Sequence, residues 1–298
     1  MKYAAFKLIG NPAKTRVGSI SADGKSVNEY ELGVDLSESG VVEILRLELA
    51  GKLPSQASAT HPMSAIQLLA PIPRPRRNIF CVGKNYFEHA KEFGTSGYDS
   101  STSKPGDEIP KEPIIFTKPP ETVIGANEKI VIPQKVSVDI DYEVELTIII
   151  GKGGKGISQA DAMKHVWAYT IINDVTARDW QQRHKQWFLG KSFDTFCPMG
   201  PWVVTADELN PQDIPVKCFV NGELRQSSNS KDLIFDIPKL IETISAGITL
   251  YPGDIIATGT PAGVGLGFKP PKYLKAGDVV RLEVDGVGVL ENTMVLGK

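Results

Sequence analysis

The residues best placed to do chemistry are the acids of Asp141-Tyr142-Glu143-Val144-Glu145-Leu146, a run that continues as Thr147-Ile148-Ile149-Ile150. Apolar and acidic residues alternate with a period of two, which predicts a β-strand whose i, i+2 and i+4 side chains share a face. Asp141, Glu143 and Glu145 then project together, opposite Tyr142, Val144 and Leu146. Neighbouring carboxylates repel, and a bound divalent cation would offset the repulsion. An all-oxygen set favours a hard ion such as Mg²⁺, Mn²⁺ or Ca²⁺ over zinc. A solvated strand face would show the same pattern with no ion.

Other residues gain meaning beside this strand. Asp174 ends the expected strand Trp167–Asn173, where it would either complete a three-oxygen site or cap the helix that follows. His89 and Glu92 stand three apart within Gly83–Glu92, neighbours on one helical turn. A carboxylate on one imidazole nitrogen fixes the tautomer and raises basicity at the other, as a general base for water requires; an ordinary surface pair looks the same. Lys191 lies in an apolar setting, where a lysine needs a reason. The glycine-rich loop Ala257–Gly265 offers backbone N–H groups and Thr260 to an anion, or is a plain turn. Gly151–Gly156 fits G-x-G-x-x-G, the dinucleotide fingerprint. However, the strand before it carries acids instead of the continuous apolar run of a doubly wound sheet, so we read it as a glycine-rich turn.

These residues need a scaffold, and 298 residues are enough to bury one. Charge is balanced, 33 basic against 35 acidic, so there is no electrostatic footprint for nucleic acid or an anionic membrane. No apolar run reaches the roughly 18 to 20 residues that span a bilayer. An odd count of three cysteines without CxxC spacing suits reduced thiols and a cytoplasmic location. Residues 1–72 read as a small β-rich domain, with a short helix around Val41–Leu49, and 73–298 as the catalytic domain beyond a proline-punctuated junction. Strands dominate the second part, with hairpin turns at Asn221-Gly222 and Asp285-Gly286. Helices are expected at Ser158–His165 behind a Ser-x-x-Asp cap, from Ala177 to about Gln186, and at Ile237–Ala246. The pattern is a β-rich α+β fold without repeating βαβ units. The polar stretch 95–111 reads as a functional loop.

The chain resembles the fumarylacetoacetate hydrolase family. The resemblance rests on G-x-N-Y-x-x-H-x-x-E at Gly83–Glu92, F-x-K-P at Phe116–Pro119 and D-Y-E-V-E-L at Asp141–Leu146. It continues with N-D-V-T-A-R-D-x-Q at Asn173–Gln181, G-K-S-F at Gly190–Phe193 and G-T-P-x-G-V-G at Gly259–Gly265, in family order. It implies a mixed β-sandwich roll that dimerises, and Mg²⁺ or Mn²⁺ held by Glu143, Glu145 and Asp174 with Asp141 in support. It further implies a His89–Glu92 dyad on a lid that the 95–111 loop extends, and Lys118, Gln181, Lys191 and Thr260 at substrate-contacting positions. Lys84 stands where many members carry arginine. The implied reaction is hydrolysis of a carbon–carbon bond in an acylpyruvate-like 2,4-dioxo acid. His89 would activate water, and the metal and Lys191 would stabilise a pyruvate enolate. Decarboxylation of an oxaloacetate-type acid, or isomerisation, tautomerisation or hydration of a 2-oxo acid, uses the same site.

Overall fold

The strand Val144–Ile150 lies at the centre of the molecule. All seven of its residues are buried, and their alternation divides two cores. Val144, Leu146, Ile148 and Ile150 enter the larger one, among Tyr169, Phe196, Leu240 and Leu282. Ile149 enters the other, with Cys81, Ala168, Ile172 and Ala257. A strand covered on both faces can carry polar residues only if their groups are satisfied inside, and this one carries Glu145 and Thr147.

The computed structural model describes residues 1–94, 97 and 108–297. Val144–Ile150 pairs antiparallel with Val166–Asn173 and Ile255–Ala257. On one side the sheet continues through Cys197–Thr205, Lys2–Leu8, Asn11–Ile20, Ser26–Tyr30 and Ala59–Pro62; on the other it runs through Ile79–Gly83 to Ile114–Lys118. A five-stranded sheet, ordered Glu223–Asn229, Pro215–Val220, Val279–Val284, Gly288–Leu296 and Lys129–Ile132, lends Val216, Cys218, Leu282 and Leu290 to the larger core. The helices are α1 (Val42–Leu49), α2 (Phe87–Gly94), α3 (Gln159–Ala162), α4 (Arg178–Arg183), α5 (Phe188–Lys191) and α6 (Ile237–Ser245). This is the β-rich α+β architecture expected from the sequence. Among the described residues no helix is long and apolar enough to cross a membrane.

The N-terminal strands extend the main sheet. Lys2 and Tyr3 pair with Val204 and Val203, and Tyr3, Ala5, Val17 and Ile44 share a core with Cys81, Ile149 and Ile172. The two parts expected from the sequence are therefore joined through one sheet and one core.

Several local expectations change. The acidic strand is interrupted: Asp141 pairs in a two-residue strand with Thr176, and the ladder resumes only at Val144. At the break, Glu143 N–H donates to the Asn173 side chain (3.0 Å) and Val144 N–H to that of Gln226 (3.1 Å). Ser158 caps no backbone N–H; its hydroxyl donates to Asp161 (3.0 Å), and α3 passes into a 3₁₀ turn at Met163–His165. The helix expected from Ala177 to about Gln186 ends at Arg183, because Lys185 takes φ 59°, which a right-handed helix cannot accommodate. Asn221-Gly222 forms the two-residue hairpin with both φ values positive, whereas the Asp285-Gly286 loop also takes in Val287, so that Val284 faces Gly288. Of the 95–111 segment, only Gly97 and 108–111 fall within the described residues.

Candidate active site

Antiparallel pairing assembles the carboxylates. Val144 lies opposite Asn173, so Glu143, one residue before its strand, meets Asp174, one residue past the neighbouring strand. The Asp174 N–H donates to Glu143 O (2.9 Å) and extends the ladder. Glu145, one pleat along, turns to the same side. Glu143, Glu145 and Asp174 each place an oxygen within 4.8 Å of the others, and all three are buried.

Cations surround this cluster. Lys191 Nζ, on α5, donates to Glu143 (2.8 Å) and Asp174 (2.7 Å). Lys118 Nζ donates to Asp174 (2.7 Å), Val175 O (3.1 Å) and Lys191 O. Arg178 opens α4 and reaches Asp141 through Nε (2.8 Å), Gln181 through Nη1 (3.1 Å) and Glu143 through Nη2 (2.7 Å). Burial alone would raise the Glu143 pKa, but Lys191, Arg178 and His89 outweigh it and hold that carboxyl below its usual range. Burial likewise opposes the Lys191 charge, and Asp174 and Glu143 overcome it. Glu145 is the exception. Burial, Asp174 and Glu143 push it well above the carboxylate range, and its carboxyl accepts from Gly259 N–H (2.8 Å). Three converging, buried carboxylates with repulsion left over at one of them fit a hard divalent cation.

Asp141 stands apart from the three. Both its oxygens are engaged, by the N–H groups of Tyr142, Gly265 and Leu266 and by Arg178, so it acts on Glu143 only through Arg178. Lys118, expected against substrate, is fully buried behind Asp174.

The dyad residues lie on α2, with His89 Nδ1 3.2 Å from Glu92 Oε2. Glu92 also accepts from Gly263 N–H at 3.1 Å. The glycine loop therefore does hold anions, and they are the protein's own: Gly259 holds Glu145, Gly263 holds Glu92, and Gly265 holds Asp141. Two of these glycines are at positive φ, Gly259 at 102° and Gly263 at 100°, and a Cβ at Gly263 would meet Arg225 O at 2.0 Å. The Thr260 hydroxyl accepts from Gln226 (2.8 Å), which ties the loop to the acidic strand through Val144.

His89, Glu143, Arg178, Gln181, Lys191 and Thr260 all line one cavity of about 20 Å³, together with Phe93 and Trp187. That volume is about one water molecule. A far larger cavity, about 1070 Å³, lies beside α1 and holds none of these residues; chemistry locates the site, not volume. Arg178, Gln226 and Asn85, all buried, were given no role by sequence reasoning. Arg178 and Asn85 stand inside quoted motifs, but only the fold reveals their partners.

The family model described as fumarylacetoacetate (FAA) hydrolase C-terminal matches residues 78–295. The oxaloacetate tautomerase YisK of Bacillus subtilis (strain 168) is 50% identical over 236 residues, 79% of this chain and 75% of that protein. The mitochondrial oxaloacetate tautomerase FAHD2A of Homo sapiens is 44% identical over 257 residues, 85% and 76% of the two chains. The solved structure of a fumarylacetoacetate hydrolase (EaFAH) from psychrophilic Exiguobacterium antarcticum aligns with a TM-score of 0.81 and 38% identity over 100% of both chains. On the fold, the site and the ordered motifs alike, the chain belongs to the fumarylacetoacetate hydrolase family.

Proposed function

We propose that the protein is a divalent-metal-dependent tautomerase of 2-oxo dicarboxylates, with oxaloacetate as the first candidate substrate. This sets the alternative reading of the sequence above carbon–carbon hydrolysis. The supporting observation is an imidazole, His89, and an ammonium, Lys191, lining one small cavity with Glu143; the names of the two curated relatives point the same way.

Glu143, Glu145 and Asp174 would hold the cation, Mg²⁺ or Mn²⁺ with Ca²⁺ as a further candidate, and when bound it would supply Lewis-acid polarisation of the 2-oxo group. The chain's own residues move the proton. With Nδ1 turned to Glu92, His89 has Nε2 left to take a proton from C3 and return it at the 2-oxo oxygen. Lys191 donates a hydrogen bond to that oxygen as charge develops on it. Gln181 and Thr260 line the wall and orient the acid, while Phe93 and Trp187 exclude water.

Hydrolysis is the second reading, favoured by the His89–Glu92 pair, which would serve equally to activate a water. Stripped protein reloaded with Mg²⁺ or Mn²⁺ separates the two when given oxaloacetate and an acylpyruvate. Faster keto–enol interconversion of oxaloacetate with no cleavage of the acylpyruvate supports tautomerisation; acylpyruvate cleavage with no effect on interconversion supports hydrolysis. We also propose a homodimer, and a reducing cytoplasmic setting that suits three free, buried cysteines.

A further inference from the structure

Gln226 is fully buried on the strand Glu223–Asn229. By strand alternation Leu224 and Gln226 would share a face, yet Leu224 is exposed and Gln226 is not. The register accounts for the difference. Cys218 pairs with Gln226, and the next residue, Phe219, pairs with Leu224. Arg225 is therefore the extra residue of a β-bulge, which re-aims the side chains beside it. Gln226 is thereby turned toward the acidic strand and the glycine loop.

Its amide fits there in one orientation. Val144 N–H can only donate and Pro261 O can only accept, so Oε1 faces Val144 (3.1 Å) and Nε2 faces Pro261 O (2.7 Å). The second Nε2 hydrogen goes to Thr260 Oγ1 (2.8 Å). That bond fixes the sense of the hydroxyl: Thr260 accepts from Gln226, and its own proton is left for another acceptor. Thr258, two residues earlier in the loop, gives its hydroxyl proton to Leu146 O (2.8 Å). Thr260 instead lines the catalytic cavity with His89 and Lys191. We propose that Gln226 is a positioning residue for the reaction: by holding the acceptor side of Thr260, it commits that hydroxyl to donate to a carboxylate oxygen of the bound 2-oxo acid. The inference rests on the functional reading above.

The test measures KM and kcat for keto–enol interconversion of oxaloacetate by Mg²⁺-loaded protein. It compares wild type, Thr260→Val, Gln226→Met, Gln226→Glu, and each Gln226 variant combined with Thr260→Val. Thr260→Val removes the donor and should raise KM roughly tenfold to a hundredfold, the scale of a hydrogen bond to a charged group. Gln226→Glu keeps the side-chain volume and still accepts from Val144 N–H. When ionised it offers an acceptor where Nε2 donated, captures the Thr260 proton, and should raise KM to the same extent. Gln226→Met leaves the hydroxyl undirected and should raise KM by about threefold or more. In the Thr260→Val background neither Gln226 change should raise KM by more than about twofold further. Throughout, kcat should stay within about threefold of wild type, and the metal-induced rise in melting temperature should persist. KM effects that multiply in the double variants overturn the inference, because Gln226 would then act through the acidic strand and not through the Thr260 hydroxyl. Loss of the metal-induced rise in Gln226→Glu overturns it for the same reason. Gln226→Glu closes the cycle by itself if Gln226→Met does not fold. A wild type that leaves oxaloacetate interconversion unaccelerated overturns the functional reading and this inference together, whereas an active wild type with an unchanged KM in Gln226→Glu overturns this inference alone.

Discussion

Glu92, the carboxylate that orients His89, is itself held by the backbone of Gly263, whose N–H lies 3.1 Å from its Oε1. The same loop holds Glu145 through Gly259. One short segment thus links the His89–Glu92 pair on α2 to the acidic cluster on the central strand.

The link predicts an effect at Gly267, which makes no hydrogen bond to the dyad. A Cβ there would meet Glu92 Oε1 at 1.9 Å. The end of a glutamate side chain can swing away, so Gly267→Ala should fold but misplace the carboxylate that sets the His89 tautomer. We expect kcat to fall by roughly tenfold to a hundredfold, at or below the low end of the 10² to 10⁴ that a general base contributes. Thermal melting should change little, and the metal-induced rise in melting temperature should persist.

Glu145 offers a test of the cluster that needs no turnover. Its carboxyl is pushed well above its usual range by burial and by Asp174 and Glu143, so in chelator the charge at this position is a burden. Glu145→Gln should therefore melt at the wild-type temperature or above it in chelator. Wild type should gain about 2.7 kcal/mol at a metal concentration near 100 times Kd, and Glu145→Gln should lose most of that gain. Melting curves with and without Mg²⁺ or Mn²⁺ check both halves.

Lys118 and Lys191 both touch Asp174, yet their expected roles differ. Lys118 is fully buried and does not line the cavity. Removing it leaves Asp174 and two carbonyls short of a donor, so Lys118→Met should destabilise the protein by about 3–5 kcal/mol, the scale for breaking a buried pair. Lys191 faces the cavity; Lys191→Met should lower kcat more than it lowers the affinity for oxalate. Denaturant unfolding and steady-state kinetics on the two variants separate these outcomes.

Exposed apolar side chains on segments flanking α4, namely Val136, Val138, Phe188 and Leu189, suit the proposed homodimer. Light scattering should give twice the 32.4 kDa chain mass for wild type, and Val138→Glu with Phe188→Glu should reduce it to one chain mass.

Legibility in the sequence tracked the range of the interaction. Glu143, Glu145 and Asp174 were readable because alternation and a strand end are local signals. The break at Tyr142 was not, because the groups that engage Asp141, Glu143 and Val144 there, among them Gly265, Leu266, Asn173 and Gln226, lie 30 or more residues away. Composition left the glycine loop open between an anion holder and a plain turn; that its N–H groups meet the carboxyls of Glu92, Asp141 and Glu145 follows only from the packing of α2 and the acidic strand against it. Arg178 was visible inside a motif, yet a motif does not say that a guanidinium bridges Asp141, Glu143 and Gln181. The contact of Lys118 with Asp174 was not readable, because the sheet brings the two together across more than fifty residues.

The central claim is that His89 performs the proton transfer of a metal-dependent oxaloacetate tautomerase. The most direct measurement is keto–enol interconversion of oxaloacetate by metal-loaded wild type and His89→Asn, followed by the ultraviolet absorbance of the enol. The account predicts acceleration by wild type, and in His89→Asn a fall of about 10² to 10⁴ while the metal-induced rise in melting temperature is retained. A His89→Asn variant that interconverts oxaloacetate at the wild-type rate would contradict it.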